Sequence, residues 1–392
     1  MTKLLSLFCA SIALVACSDD ASSPAGPDDS GSTSDVVTSN DAGDSATPPP
    51  GDAAIDAAPT GTPLFVAIGY EGRTTISCDD GKTWVANRSD DDTVKCFSPT
   101  DCDHDGRAGR GIAFANGWFV ADFGWGSPGT IRRSKDGATW DTVLTGPNFA
   151  SMMYGNGRFV GAARTGKLST NDGMTWTDAA EAKLLFNGQD VWNVRRGAFV
   201  GQGFLLVGDG PVAAYGPDGT SWTQVKNFPS QCGADIQWSG GIAFGNGAIV
   251  VVDGNGTACR SVDQGQTWTS KALGQTLESR LLFSGTEFMV WSGSALFRSQ
   301  DGTTWTSTPT KRTVNGAPAT GSPNLGPVAR SPGGTFVAVN GGWQTWYDKQ
   351  RFLRSTDGIT WDELPSGAFV GSHPMTHIVW AAAGSSAGCA KK

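Results

Sequence analysis

The stretch that decides the fold is Ser134-Lys135-Asp136-Gly137-Ala138-Thr139-Trp140, because it recurs. SCDDGKTW ends at Trp84, TNDGMTW at Trp176, GPDGTSW at Trp222, SVDQGQTW at Trp268, SQDGTTW at Trp305 and STDGITW at Trp361. The tryptophans are spaced 56, 36, 46, 46, 37 and 56 residues apart, so one unit of roughly 47 residues repeats along the chain. Each residue type in the motif has a physical job. The aspartates (Asp79, Asp136, Asp172, Asp218, Asp263, Asp301, Asp357) can accept hydrogen bonds from backbone N–H groups of their own turn. Glycine takes a backbone angle that other residues resist. The tryptophan enters the next strand and fills apolar space between sheets.

Strand patterns flank every turn. In the second unit Gly111–Ala115, Trp118–Phe123, Thr130–Arg133 and Thr139–Leu144 read as four successive strands, A to D, with the turn between C and D. The first unit begins directly at Leu64 with a strand B, and Thr376–Ala382 at the other end reads as an orphan strand A. Joining the two completes one blade and removes the open sheet edges. The chain is poor in helix formers, with five glutamates in all, while glycine (54) and tryptophan (15) abound.

The motif resembles the Asp-box, or BNR repeat, of sialidase-like β-propellers. The copies starting at Ser77 and Ser261 carry the full pattern S-x-D-x-G-x-T-W, and the other five lack one residue between Asp and Gly. The resemblance covers nearly all of 63–392. It implies an all-β, seven-bladed propeller with four-stranded blades, closed by the C-terminal strand, with six or eight blades as the alternative count. It implies structural boxes on one face and the D-to-A and B-to-C loops on the other. The enzymatic side of the family is not matched. No R-I-P segment precedes the first box, Tyr70-Glu71 is the one adjacent Tyr–Glu pair, and no catalytic residues are assignable. P-loop, HExxH and GxSxG patterns are absent.

The N-terminus is of a different kind. Residues 1–17, MTKLLSLFCASIALVAC, have a positive start, a short apolar run and the ending Leu14-Val15-Ala16-Cys17. This resembles a bacterial lipoprotein signal with its lipobox. The resemblance implies lipid on Cys17, export and, with Ser18 following, an outer-membrane anchor. Residues 18–62 contain nine aspartates, no Lys or Arg, and Pro48-Pro49-Pro50. They lack the apolar side chains needed to offset ordering, so a solvated tether is expected. The formal charge of −8 belongs to this tether, since residues 63–392 hold 28 acids and 28 bases. A neutral body argues against nucleic acid as a partner, and a monomer is expected.

Cys9 leaves with the signal, and six cysteines remain for disulfides in an exported protein. Cys96 and Cys102 share a loop, Cys232 and Cys259 lie on one face, and Cys78 and Cys389 sit where a bridge locks the ring. No CxxC or histidine pair supports zinc. Asp101-x-Asp103-x-Asp105-Gly106 resembles a DxDxDG calcium loop, although Ile112 stands where the twelfth-position Glu belongs. Candidate ligand-binding residues are Tyr70, Arg73, Trp125, Trp343, Trp346 and Tyr347 in B-to-C loops, because flat aromatics stack on sugar rings. Trp192 and Trp238 are weaker candidates. The expected function is a surface-anchored module that binds glycan or another surface protein. The rival classes are a glycoside hydrolase or lyase and a structural envelope component.

Overall fold

The computed structural model describes residues 61–69, 72–88, 108–124, 129–146, 149–162, 167–169, 171–179, 185–186, 189–190, 194–236, 239–340, 351–364, 375–384 and 389. The architecture is an all-β propeller. Its first blade joins the two ends of the described chain. Met375–Ala383 pairs antiparallel with Thr62–Gly69, which continues into Thr74–Ser77 and Val85–Arg88. The orphan strand expected at Thr376 therefore closes the ring.

Five further four-stranded blades come next in chain order: Ala108–Gly146, Ser151–Asp178, Val194–Gln224, Gly241–Ala272 and Leu282–Pro309. The expectation of seven four-stranded blades is thereby corrected to six. The last repeat unit is built into a six-stranded sheet. There Leu325–Arg330, Phe336–Asn340, Phe352–Ser355 and Thr360–Glu363 are extended by Lys311–Val314 and Ala317–Ala319. The cause is a hairpin at Asn315-Gly316, both with positive φ, the turn that two-residue hairpin loops favour. Its first strand pairs parallel with Thr360–Glu363. Asp362 accepts from Thr313 Oγ1 at 2.6 Å and from the Gly316 amide at 2.7 Å, and Arg312 forks onto Glu363 at 2.6 and 2.9 Å.

The core lies between sheets. Strand side chains alternate faces, so the first blade packs on a neighbour at each side. Leu64, Val66 and Ile68 pack on Phe119, Ala121 and Phe123 of the second blade. Phe65 and Ala67 pack the other way, on Val337, Val339 and Phe352 of the six-stranded sheet. The box turns use the same seam. A Cβ at Gly137 would lie 2.6 Å from Val66 of the preceding blade, and one at Gly81 would lie 2.4 Å from Val337 of the six-stranded sheet. Two disulfides staple the described fold. Cys78–Cys389 spans 311 residues and ties the first box to the segment beyond the closing strand, while Cys232–Cys259 spans 27. Cys96, Cys102 and Cys17 lie outside the described residues.

Candidate functional site

Each blade has two ends with different chemistry. At one end lie the A-to-B turns and the boxes. In the five boxes whose bonds are fully traced the aspartate is consumed by its own turn. Asp136 Oδ1 accepts from the amides of Ala138 and Thr139 at 2.9 and 2.8 Å, and Asp301 Oδ1 accepts from Thr303 and Thr304 at 2.8 and 2.7 Å. Asp357 repeats this with Ile359 and Thr360. In the two longer boxes the extra residue, Asp80 or Gln264, takes a positive φ, and one amide, Thr83 or Thr267, reaches Asp79 or Asp263. The box tryptophans Trp140, Trp176, Trp268, Trp305 and Trp361 each donate Nε1–H to the carbonyl of their own box glycine at 2.9–3.0 Å. Trp84, with Phe352 stacked on it at 3.6 Å, and Trp361 are buried, whereas Trp222 keeps part of its surface open. Asp172 and Asp218 accept from Met174 and Thr220 in the same manner.

The opposite end carries charge around the central channel. The innermost strands pack side by side around the axis, Met375–Ala383 against Ala108–Ala115, that strand against Ser151–Gly155, then Val194–Phe199, Gly241–Gly245 and Leu282–Phe283. Near the loop-side start of these strands stand His377, Arg110, Arg195, Arg196 and Arg280. Four of them stand at or beside a bulge. In the second blade Gly109 faces Phe123 and Gly111 faces Asp122, leaving Arg110 as a bulged residue. In the fourth, Val194 faces Gly208 and Arg196 faces Val207, leaving Arg195. In the first, Gly69 faces Met375 and Ile68 faces His377, leaving Thr376. Bulges re-aim side chains beside functional sites.

The charged groups meet. Arg280 donates from Nη1 to Nε2 of His377 at 2.5 Å across 97 residues. Because arginine cannot accept, Nε2 is the acceptor and Nδ1 carries the proton. Nδ1 then donates to Thr376 Oγ1 at 3.1 Å, and Thr376 Oγ1 donates to the Gly109 carbonyl at 2.7 Å. Burial, followed by the charges of Arg280, Arg196 and Arg110, holds His377 well below the usual histidine range, so it is neutral at pH 7. Burial, then Arg280, Arg110 and Arg195, also lowers Arg196, with Asp209 opposing. Asp209 is forked by Arg195 at 2.9 and 2.7 Å. Burial raises Asp122 well above the usual carboxylate range, with the Arg110 charge acting against it.

The expected site residues are distributed differently. Arg73 is buried at 1% exposure beside Gly72, whose carbonyl accepts from Arg132 Nη1 at 3.2 Å. Tyr70, Trp125, Trp343, Trp346 and Tyr347, the weaker candidates Trp192 and Trp238, and the calcium candidates Asp101, Asp103 and Asp105 lie outside the described residues. Among the described residues no group of three or more His, Cys, Asp or Glu could hold a metal ion. Sequence reasoning missed the channel cluster. A signal was available, because an aromatic follows four of the cluster residues at short spacing. Arg110 stands four residues before Phe114, while Arg196, Arg280 and His377 stand three before Phe199, Phe283 and Trp380.

No protein-family model matches the chain, and no curated protein does. Solved structures match in fold. A Bacteroides fragilis protein provisionally assigned as a 6-phosphogluconolactonase aligns over 83% of this chain and 100% of its own, at 8% identity and a TM-score of 0.50. AztD of Citrobacter koseri aligns over 81% and 97%, at 10% identity and a TM-score of 0.48. YCF48 bound to D1 peptide aligns over 64% and 82%, at 15% identity and a TM-score of 0.42. At such identities the likeness is one of β-propeller fold.

Proposed function

We propose that this protein is an exported lipoprotein, anchored through Cys17 to the outer membrane, whose propeller is a binding module for glycan or another surface protein. The ligand docks on the face that carries the B-to-C and D-to-A loops. One observation carries the assignment of the face. Arginines from the second, fourth and sixth blades and the neutral His377 of the first gather at that end, whereas the carboxylates at the other end are occupied by their own turns. A site needs polar groups directed at a ligand rather than at the fold.

Tyr70, Trp125, Trp343, Trp346 and Tyr347, assigned from the sequence to B-to-C loops, are proposed to supply stacking surface. Asp101, Asp103 and Asp105 are proposed to hold Ca2+ there, which calorimetry with millimolar calcium tests through heat uptake lost in Asp103→Asn. A glycan array and a set of fluorogenic glycosides, applied to the full chain, separate binding from turnover. Retention without hydrolysis, lost in Trp346→Ala, is the expected result. Hydrolysis abolished by changing a loop-face carboxylate would replace the binding module with a glycosidase.

A further inference from the structure

Among the described residues an arginine clasps three of the seams between neighbouring sheets. Arg133, Arg298 and Arg354 each stand immediately before the first box residue of their own unit. Each donates to a carbonyl in the box of the next sheet: Arg133 to Asp172 at 3.3 Å, Arg298 to Asp357 at 2.9 Å and Arg354 to Asp80 at 2.9 Å. The accepting residue is in every case the one before the box glycine. The seam between the fourth and fifth blades departs from this pattern. Tyr215 holds the arginine's place there, and Gln264 holds the acceptor's. A Cβ at Gly203 would lie 2.6 Å from the Tyr215 hydroxyl, so the phenol lies back against its own blade. The box glycines record the result. A Cβ at Gly81, Gly137, Gly173 or Gly302 would lie 2.4–2.6 Å from a valine of the preceding sheet, whereas at Gly265 the three nearest atoms all belong to its own Trp268, at 3.4–3.9 Å.

The space left is a cavity of about 360 Å³, lined by Tyr215, Gln224, Lys226 and Asn227 on the side of the fourth blade and by Gln264 and Gln266 of the fifth. From this arrangement we infer that the seam is a second binding site, for a neutral sugar residue, separate from the loop face and independent of that reading. The volume falls within the range of about 300–1,000 Å³ usual for small-molecule pockets. Among the described residues lining the cavity there is no carboxylate to draw a cation, and the one formal charge is Lys226, which is exposed and hydrated. The lining instead holds four side-chain amides. An amide sets an acceptor beside two donors, and neighbouring sugar hydroxyls, each of which gives and takes a hydrogen bond, answer both. The half-buried Tyr215 adds an aromatic ring with a polar tip.

Two hydrogen bonds hold the walls. Gln264 takes the positive φ of the longer box, and its Nε2 donates to Gln202 Oε1 at 2.5 Å. Asn227 Nδ2 donates to the Gln266 carbonyl at 3.4 Å. An amide side chain can make four hydrogen bonds, so one to the fold fixes it and leaves capacity for a ligand. The other long box uses its extra residue differently, since Asp80 accepts from Arg354 and Thr335 across a closed seam. Asp263 stays with its own turn, and the cavity is met by the residues on either side of Gly265.

Isothermal titration of the full chain with glucose, galactose, mannose and N-acetylglucosamine at millimolar concentrations tests the site, with glucuronate as the charged comparison. Saturable binding of at least one neutral sugar is expected, with glucuronate weaker. Gln266→Ala and Asn227→Ala, both at exposed positions, should each weaken binding roughly tenfold, as loss of a hydrogen bond to a ligand does. Tyr215→Arg restores the clasp of the other seams, and should abolish binding while cooperative urea unfolding is kept. Lys271→Gln, on an exposed strand, should leave binding unchanged. Silence with all four sugars, preference for glucuronate, or undiminished binding in Tyr215→Arg overturns the inference. If Trp346→Ala abolishes the sugar signal and Tyr215→Arg does not, the seam site falls and the loop-face binding module stands.

Discussion

The two ends of the same strands have opposite electrostatics. At the box end hydrogen bonds favour the charged form of the carboxylates. The Thr267 hydroxyl and amide lead in holding Asp263 at about 2, and the amides of Thr304 and Thr303 lower Asp301 further. Burial pushes Asp136 and Asp357 upward, yet their amide donors outweigh it. At the loop end burial prevails. It raises Asp122, Asp253 and Glu278, and it lowers Arg196 and His377. The box end is chemistry directed inward, at the backbone, and its product is stability. The loop end holds ionisable groups in conditions that disfavour their charged forms.

The sharpest test of the box end is its most buried plug. Trp361 is fully buried, edge-on to Trp291 at 5.8 Å, and both indoles donate to the Gly358 carbonyl. Trp361→Ala should lose about 3–5 kcal/mol in urea unfolding, the range for a large aromatic removed from a core. Trp305, part-exposed in the sixth blade, should lose clearly less on the same substitution. Equal losses would mean that the boxes are held by their turns rather than by their tryptophans.

A smaller effect isolates the turn from the plug. Asp301→Ala removes the acceptor for two amides and for the hydroxyls of Ser299 and Thr304. The turn is largely exposed, so water replaces part of the loss, and the expected cost is about 1 kcal/mol by the same urea measurement. The matching change at the loop end, Arg196→Gln, relieves repulsion and should leave stability nearly unchanged. A cost at Arg196 exceeding that at Asp301 would place structural duty at the channel mouth.

How much of this was legible depends on how local each feature is. The box is written within eight residues, so its aspartate, glycine and tryptophan could be assigned roles from their spacing. Ring closure was legible because Leu64 lacks a preceding strand and Thr376 begins a surplus one. The Cys78–Cys389 bridge came from the same logic. The six-stranded sheet was missed although Asn315-Gly316 advertised a hairpin, because the strand units were counted from box to box. The channel cluster was missed for a deeper reason. Arg110, Arg196 and Arg280 are 86 and 84 residues apart, and a bulge lies at or beside the first two. Register is a property of pairs of strands, and a single strand does not display it.

Acid unfolding sharpens the comparison further. Asp263 has an ordinary value of 3.8 and about 2 in the folded protein. A lowered folded value contributes stability that is complete above the ordinary carboxylate range and is lost as pH falls toward the folded value. Unfolding followed by tryptophan fluorescence should therefore show stability declining from about pH 4 to about pH 2. Asp263→Asn should flatten part of that decline, and an unchanged slope would mean that the boxes do not titrate with folding.

The smallest predicted effect has the opposite sign, and it tests the loop end directly. Burial holds Asp122 well above its ordinary value despite Arg110. A raised carboxyl favours folding most where both states are protonated, and its contribution shrinks as pH climbs through the ordinary carboxylate range and the unfolded chain ionises first. Asparagine copies the shape of the protonated acid and cannot ionise. Asp122→Asn should therefore match the parent in acid and equal or exceed it at pH 7, by up to about 1 kcal/mol. Asp263→Asn, measured beside it, should lose stability at pH 7. If Asp122→Asn lost as much, Asp122 would be an ionised partner of Arg110 in the folded protein.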